Sequence, residues 1–396
     1  MRIGIDATCW ANDRGYGRFT RELVTAMTVL SPADEFVCVL DDASARRFDL
    51  QGQHIVPLLV DQGAAAATTG RGRSPRDLLK FTRAVSRARL DVFFSPSVYA
   101  YFPLPLGLPA VVTVHDAIPE RFPQLTMPTW RDRAQWRLKV RLALWQSRLV
   151  LTVSDYAARE VSRYLGVPSA RLRVTLEGVA GIYTPSERAE DIRAAAARVG
   201  LPAGARWLMY VGGFGPHKHI DVLVRAHAAA VARLAGTSPL HLLLAGPNDD
   251  GFHQDRAAIQ QAIKTCGTES LVHWAGFLPD AELRHLHSGA VALLLVSAAE
   301  GFGLPAVEAA RCGTPVIATT ESPLPDLLAG GGIFVEPGDV DALTVAIEKL
   351  ASDEERRLTF GRRAREQARA LDWSRSARVA LQALHDAAGV RAGAAA

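Results

Sequence analysis

The sequence predicts an α/β protein built from two doubly wound, Rossmann-like domains. The first observation is its length, because 396 residues are too many for one ordinary core. The second is that short apolar runs of strand length alternate with amphipathic helical patterns along both halves. The third is a polar, alanine-rich stretch at 184–206 that separates two such series. These observations place the domains at 1–190 and 200–372.

The predicted strands follow from apolar runs that end at glycine, proline or polar residues. The first series is predicted at 2–5, 36–40, 92–94, 110–114 and 149–153. The second series is predicted at 207–211, 240–245, 272–274, 292–296 and 314–318. The small and polar residues at 63–75 predict a mobile surface loop.

Composition excludes several classes of function. A net charge of +4 with scattered basic residues does not indicate nucleic acid binding. The four cysteines form no C-x-x-C pair, which is typical of a reducing compartment and argues against a structural zinc site. No charged leader precedes a long apolar region, and no apolar run reaches the ~18 residues of a membrane span. We therefore expect a cytoplasmic protein.

Ligands of open α/β sheets bind beyond the carboxyl ends of the strands, so binding and catalytic residues are expected in the loops that follow the strands. The clearest such loop lies in "SAAEGFGLPAVEAARCGTPV" at 297–316. Pro305 suits the first turn of a helix and Gly313 suits its end. Glu300 then lies before the helix and Glu308 one turn inside it, where free amide groups attract phosphate.

Two carboxylates beside a phosphate-binding helix start suggest a ligand that also carries hydroxyl groups. A carboxylate accepts two hydrogen bonds from a vicinal diol. A nucleotide sugar fits this site because it carries phosphates for the amides, a ribose diol for one glutamate and a sugar ring for the other. The alternative interpretation is that Glu300 is a solvated loop residue and Glu308 is an acid favoured by the helix dipole.

Three more strand ends carry candidate residues. Lys218, in "YVGGFGPHK", stands where an ammonium group neutralises a diphosphate, although a lone lysine is usually solvated. Gly15 and Gly17, in "GYGRFTREL", allow close approach of a ligand to the backbone. His115, in "VHD", ends a strand, although most such histidines are simply buried and hydrogen-bonded.

Gly15 and Gly17 also resemble a dinucleotide-binding fingerprint, with Asp41 at the end of the second strand. The third glycine position is Thr20, however, and about eight residues separate the strand from the glycines, where that fingerprint requires a tight turn. The dehydrogenase interpretation is therefore weak. The pair Asp339 and Asp341 imitates a metal-binding spacing, but it precedes an amphipathic helix and is explained by capping.

Taken together, these motifs resemble the retaining glycosyltransferases of family 4, which have the GT-B fold with two domains facing a central cleft. The family's two glutamates separated by seven residues correspond to Glu300 and Glu308 in "EGFGLPAVEA". The resemblance extends over nearly the whole chain through further motifs: "GIDA", "GYGRFTREL", "VHD", "LTVSDYAARE", "YVGGFGPHK", "LLLAGP" and "GFLPDAELRHLH". The contexts "PHK" and "VHD" look like the mannosyltransferase branch.

The resemblance implies a role for each domain. The domain at 1–190 is the acceptor side, joined by a C-terminal helix at 375–396, and 200–372 binds the nucleotide sugar. In the domain that binds the nucleotide sugar, the resemblance implies that Glu308 holds the ribose, Glu300 contacts the donor sugar and Lys218 neutralises the diphosphate. The backbone amides that should meet the sugar and the diphosphate are those of Phe302, Gly303 and Leu304. On the acceptor side, Gly15 and Gly17 should admit the diphosphate close to the backbone, and His115 should lie near the anomeric carbon. No metal and no cofactor are implied beyond the donor, GDP-mannose or a UDP-hexose.

One departure weakens the expected diphosphate site. Many relatives carry an arginine five positions or one position before the lysine, but this sequence has Gly213 and His217 there. We hypothesise that Arg18 or a protonated His217 compensates. A sugar-nucleotide epimerase, which the glutamate pair disfavours, and a nucleotide-sugar-binding protein with weakened catalysis remain the alternatives.

The acceptor is a glycan, a lipid-linked sugar or a small molecule. The segment 129–150 combines three tryptophans with six basic residues, so it suits docking on the inner, anionic face of a membrane. The alternative interpretation is a helix that packs in the first domain with its arginines in water.

Overall fold

The computed structural model describes residues 1–61, 73–234, 236, 238–247 and 255–389. Most of the loop predicted at 63–75 lies outside these described residues. The chain divides into two compact units, one comprising Met1–Gly178 with Asp372–Ala396 and the other Val179–Leu371. The stretch at 184–206, which the sequence suggests is an interdomain connector with some helix, does form a helix in part but lies within the second unit.

The first unit contains a parallel sheet in the order β3-β2-β1-β4-β5-β6-β7. Its strands are β1 (Arg2–Asp6), β2 (Glu35–Leu40), β3 (Ile55–Leu59), β4 (Val92–Ser95), β5 (Ala110–Thr113), β6 (Leu149–Thr152) and β7 (Leu172–Val174). Its helices before the crossing into the second unit are α1 (Gly15–Leu30), α2 (Asp42–Ala45), α3 (Pro75–Arg87), α4 (Ile118–Arg121), α5 (Pro123–Thr126), α6 (Trp130–Gln146) and α7 (Asp155–Leu165). Short 3₁₀ turns occupy Val98–Ala100 and Ser169–Arg171.

The second unit repeats this architecture with a parallel sheet in the order β10-β9-β8-β11-β12-β13. Its strands are β8 (Arg206–Val211), β9 (Leu240–Ala245), β10 (Val272–Gly276), β11 (Ala292–Leu295), β12 (Val316–Thr319) and β13 (Gly332–Val335). Its helices are α8 (Ala189–Arg198), α9 (Ile220–Arg233), α10 (Arg256–Cys266), α11 (Asp280–Gly289), α12 (Leu304–Arg311), α13 (Leu324–Leu327), α14 (Val340–Ser352) and α15 (Glu354–Ala368), with a 3₁₀ turn at Pro216–Lys218. The predicted pair of doubly wound α/β sheets is confirmed.

The last helix, α16 (Trp373–Ala388), belongs to the first unit. It packs on α1 and on strands β4 to β7, so it covers one face of the first sheet. The amide of Val179 donates a hydrogen bond to the carbonyl oxygen of Leu371 over 3.2 Å. The two ends of the second unit are therefore adjacent.

All ten predicted strands are present, and the three that the prediction missed lie at sheet edges. β3, β7 and β13 are each covered on fewer sides than a central strand, so their apolar patterns are weak. β3 also contains Pro57, which is compatible with an edge strand because the missing N–H costs no ladder bond on the open side.

Among the described residues, no helix is both long enough and apolar enough to cross a bilayer. Three of the four cysteines, Cys9, Cys38 and Cys312, are buried, as expected for small apolar residues, and none of the four forms a disulfide.

Candidate active site

In the second unit, Lys218 lies where the loop after β8 turns into α9. The 3₁₀ turn at Pro216–Lys218 ends at His219, whose backbone adopts a left-handed conformation with φ of 52°. The carbonyl oxygen of His217 accepts a hydrogen bond from the amide of Ala298 over 2.8 Å. The β8 and β11 loops are thus joined through the backbone, and Lys218 is brought beside the glutamate loop.

Glu300 is held at the centre of the β11 loop. Its Oε1 accepts hydrogen bonds from Lys218 Nζ at 2.7 Å and from Ser297 Oγ at 2.5 Å. Its amide donates to the carbonyl oxygen of Glu321 over 3.0 Å, which ties it to the loop after β12. The side chains of Lys218 and Glu300 are only 19% and 11% exposed, so their ion pair is largely removed from water.

Helix α12 starts with a backbone geometry that suits anion binding. Gly303 has φ of 92°, a backbone conformation that favours glycine, and a Cβ there would lie 3.0 Å from Leu324 Cδ1, which would have to shift slightly. Pro305 occupies the first turn, as predicted. The amides of Phe302, Gly303 and Leu304 make no backbone hydrogen bond to another described residue. These three donors remain for a ligand, in a region where the helix dipole favours negative charge.

Glu308 lies one turn into α12, and the residue is 3% exposed. The helix ends at Gly313, which has φ of 85° and donates its amide to the carbonyl oxygen of Ala310, as the sequence predicted. Glu300 is also buried, at 9% exposed, so it is not the solvated loop residue of the alternative interpretation. Burial of a charged group requires polar partners inside the fold.

His217 does not supply the positive charge that was hypothesised. Burial, and then the neighbouring charges of Lys218 and His219, lower the pKa of His217 to about 3. Its Nδ1 is also buried without a hydrogen-bond partner among the described residues. At neutral pH this imidazole is uncharged, so the idea of a protonated His217 is wrong. The other candidate, Arg18, lies on α1 of the first unit.

In the first unit, His115 follows β5 and is fixed on both sides of its ring. Nε2 lies 3.0 Å from the carbonyl oxygen of Pro96, and Nδ1 lies 3.4 Å from Glu177 Oε1. Phe19 packs edge-on against the imidazole with ring centroids 4.6 Å apart. Burial raises the pKa of the Glu177 carboxyl, and the hydrogen bond from His115 acts in the opposite direction.

The segment that carries Glu177 is anchored to α16. Leu176 adopts φ of 50°, a left-handed conformation that is costly for a branched side chain. Thr175 Oγ1 donates to the carbonyl oxygen of Ser376 over 3.0 Å. A Cβ on Gly178 would lie 2.4 Å from the amide nitrogen of Trp373. The chain is therefore held in a strained path that presents Glu177 to His115.

The two predicted glycines of the first unit differ in surroundings. Gly15 begins α1 and is exposed. Gly17 is buried, and a Cβ there would lie 2.0 Å from the carbonyl oxygen of Asn12. Glycine is therefore needed at position 17 because the loop at residues 7–14 leaves no room for a side chain there.

Two functional partners were missed from the sequence. Ser297 stands in the quoted glutamate stretch, but no sequence pattern connects its hydroxyl to Glu300. Glu177 follows β7, a strand of three residues that was not recognised, so its position at a strand end gave no signal.

The aspartate pair before α14 caps that helix. Asp339 Oδ1 accepts a hydrogen bond from the amide of Ala342 over 2.9 Å, which confirms the capping interpretation. Within the described ranges, no group of three or more histidine, cysteine or acidic residues is arranged to hold a metal ion.

Comparisons with known proteins cover both units. Residues 15–180 match the model of Glycosyltransferase Family 4, and residues 191–367 match the model of Glycosyl transferases group 1. An O-antigen chain mannosyltransferase B from Escherichia coli is 29% identical over 67% of this chain and 67% of its own length. The structure of sucrose-phosphate synthase from Thermosynechococcus elongatus superposes with a TM-score of 0.74 at 21% identity, covering 96% of this chain and 97% of that one. HepE from Anabaena, solved with UDP and glucose, gives a TM-score of 0.72 at 19% identity over 97% and 99% of the two chains.

The two sheets have the GT-B fold, and the family models that match both units identify the chain as a glycosyltransferase, which transfers a hexose from a nucleotide sugar. The two models side by side cover most of the chain, and the glutamates lie inside the second of them. The chain belongs to family 4 of the retaining glycosyltransferases.

Proposed function

We propose that this enzyme transfers mannose from GDP-mannose, with a UDP-hexose as the second choice of donor, to a glycan, lipid-linked or small-molecule acceptor. The observation that carries the proposal is the grouping of Glu300, Lys218 and the free amides at the start of α12 on joined loops of one unit. The resemblance to a mannosyltransferase from Escherichia coli supports the choice of sugar.

The roles divide by charge. Cleavage of the donor builds negative charge on the departing diphosphate, and donors that are fixed beforehand stabilise such charge best. Lys218 and the amides of Phe302, Gly303 and Leu304 supply these donors, whereas Glu308 accepts from the ribose hydroxyls. Glu300 accepts hydroxyls of the donor sugar. In this scheme the protein stabilises the leaving group without a metal ion.

Lys218 changes partner during the reaction. Without a donor it pairs with Glu300 over 2.7 Å. A diphosphate carries more negative charge than one carboxylate, so the ammonium turns toward it when the donor binds. Glu300 is then released to accept hydrogen bonds from the sugar. The ion pair thus keeps both side chains in place between turnovers.

His115, Gly15 and Gly17 are the residues of the first unit to which the resemblance assigns a role. Gly15 leaves room for the donor phosphates at the backbone, whereas Gly17 acts indirectly by allowing the loop at residues 7–14 to pack against α1. His115 stands near the anomeric carbon, with its ring orientation set by Pro96 and Glu177.

The acceptor side includes contact with a membrane surface through α6. The buried side of this helix presents Val140 and Ala143 to the unit. Its outer side exposes Trp130, Leu138 and Trp145, which are 73%, 61% and 69% accessible. Apolar side chains among arginines on an outer helix face suit the interface of an anionic bilayer.

A thermal-shift panel with UDP, GDP, ADP, dTDP and NAD tests the donor class. A ligand that binds only the folded chain raises its apparent stability. We expect GDP to stabilise the wild type and the shift to disappear in Glu308→Ala. Glu336→Ala, on an exposed loop after β13, serves as the matched control. Stabilisation by NAD alone, or by no nucleotide, contradicts the proposal.

Donor-dependent release of GDP, measured with and without EDTA, tests the chemistry. We expect release to continue unchanged in EDTA. A rate that EDTA abolishes and Mg²⁺ restores would show that a metal ion supplies the charge assigned to Lys218. Nucleotide binding with no release under any condition would leave a nucleotide-sugar-binding protein rather than an enzyme.

A further inference from the structure

A cavity of about 280 Å³ lies in the first unit. It is bounded by α4, α5, α6 and α7, on the helical layer that connects β5 to β7. None of the residues assigned to donor binding lines it. Its lining residues are Arg133, Arg137, Arg141, Glu120, Trp136 and Tyr164, together with six apolar ones.

Three arginines give this cavity its charge. Arg133, Arg137 and Arg141 follow one another at intervals of four residues on α6, so they form one ridge along the helix. Arg133 is fixed by donation from its Nε to the carbonyl oxygen of Met127 over 2.8 Å. Guanidinium groups in such a row recognise phosphate by parallel hydrogen bonds as well as by charge.

One carboxyl group, that of Glu120, also lines the cavity. Its Oε1 accepts a hydrogen bond from Trp136 Nε1 over 2.6 Å, whereas its Oε2 is buried without a partner among the described residues. Burial raises the pKa of Glu120, and the hydrogen bond from Trp136 acts against this. A raised pKa lowers the charged fraction of this carboxyl at a given pH, and with it the repulsion of an anion.

The arginine ridge lies beside the exposed apolar residues of α6. Arg141 is one turn from both Leu138 and Trp145 on the helix surface, and Arg137 is adjacent to Leu138 in the chain. The same stretch of helix therefore presents an apolar strip and a row of phosphate-binding groups. This combination matches a lipid, in which an anionic headgroup adjoins apolar tails.

We propose that the cavity holds the phosphate headgroup of an anionic lipid while Trp130, Leu138 and Trp145 enter the bilayer interface. This inference rests on the proposed contact of α6 with a membrane surface. The guanidinium groups of Arg137 and Arg141 bind the phosphate oxygens, and Tyr164 lies on the α7 side of the same cavity. The membrane contact thereby acquires a preference for phosphate over other negative groups.

Vesicle flotation of the full chain tests this preference without any donor. One set of phosphatidylcholine vesicles contains phosphatidylglycerol, and the other contains cholesteryl hemisuccinate, a carboxylate lipid, at the same zeta potential. We expect the wild type to bind the phosphatidylglycerol vesicles about 10-fold more tightly. The double variant Arg137→Gln/Arg141→Gln should bind both sets equally.

The double variant Arg131→Gln/Arg159→Gln is the matched control. It also loses two exposed positive charges, but neither residue lines the cavity. General attraction to the surface weakens for both kinds of vesicle, so the 10-fold preference for phosphatidylglycerol should remain. Loss of the preference in this control, or its absence from the wild type, overturns the inference.

Two further outcomes separate this inference from the proposals on which it stands. Binding of the wild type to neither kind of vesicle defeats the membrane contact itself, while leaving GDP binding untouched. In the second outcome, glycerol 3-phosphate stabilises the wild type but not the Arg137→Gln/Arg141→Gln variant, and the wild type shows no preference between the two kinds of vesicle. This result would show a site for a soluble phosphate and would overturn the proposal of a lipid headgroup.

Discussion

At the scale of single residues, the ion pair of Lys218 and Glu300 is the feature from which most follows. Removing one member of a buried pair leaves the other charge without compensation, which is more costly than losing a surface pair. The two residues are 82 positions apart and the pair is 2.7 Å long, so it also fixes two loops to each other. Lys218 and Glu300 can therefore be substituted one at a time, and the effect on protein stability, GDP affinity and turnover rate can be measured for each.

We predict that Glu300→Gln separates donor binding from catalysis. The variant keeps the shape of the side chain but frees Lys218 from its carboxylate, so affinity for GDP should be unchanged or higher. The turnover rate should fall about 100- to 1,000-fold, since a group that acts in the transition state is lost. Calorimetry and GDP release measure the two effects, with Glu336→Gln as the control. A parallel loss of GDP affinity would contradict the proposed exchange of partners.

We predict that Glu177→Gln lowers turnover by about 10- to 100-fold with little change in KM for the donor. Glutamine can still accept a hydrogen bond near His115, but it cannot share a proton with the imidazole. Because the pKa of Glu177 is raised, its protonation should also slow the wild-type enzyme at acidic pH, and the variant should lack this effect. Glu35→Gln, which alters an exposed ion pair with Arg2, should leave both quantities unchanged.

Residues of the site were predictable where chemistry shows in local spacing. Glu300 and Glu308 could be chosen because a strand end, Pro305 and Gly313 fix their positions within one loop and helix. Their partners could not, because the contact between Lys218 and Glu300 depends on how two loops meet in space. His217 was misjudged for the same reason, since burial, which lowers its pKa to about 3, is a tertiary property.

At the scale of elements, central strands could be predicted and edge strands could not. A central strand such as β9 is buried along its whole length, whereas β13 has three half-buried residues in four. Helix ends fixed by glycine or proline were also predictable, as at α12. The close approach of Gly17 to Asn12 was not, because it depends on the path of the preceding loop.

We predict that Gly17→Ala destabilises the protein by about 1–3 kcal/mol, because its Cβ would collide with the backbone of Asn12. The loop at residues 7–14 must move to accommodate even a methyl group. Gly15→Ala, at the exposed first position of the same helix, should change stability by less than about 0.5 kcal/mol. Urea unfolding followed by circular dichroism compares the two. Equal midpoints for both variants would show that the loop yields freely.

At the scale of the whole molecule, histidines make the second unit sensitive to acid. Burial lowers the pKa of five of them, His217, His219, His227, His241 and His273. In the unfolded chain these groups take up protons near pH 6.5, whereas in the folded unit they resist protonation. The unfolded state therefore binds more protons below pH 6.5, and stability must fall as the pH falls.

We predict that the free energy of unfolding decreases between pH 7.5 and pH 5.5. His217, a half-buried residue whose pKa burial lowers to about 3, contributes at most about 1.4 kcal/mol to this loss at pH 5.5. Urea titrations at the two pH values measure the total loss. The variant His217→Asn should lose less stability over this interval than the wild type. An identical pH dependence for the two chains would remove His217 as a cause.

The return of the chain to its first unit has a consequence for the order in which the protein is completed during synthesis. The second unit is inserted within the first, and its ends meet where Val179 bonds to Leu371. The strands of the first unit leave the ribosome early, but α16, which covers one face of their sheet, is synthesised after the whole second unit. All elements of the second unit are therefore available before α16 is made. The half that is translated first is therefore the last to be finished, and its uncovered sheet face is the surface that a chaperone would find on the nascent chain.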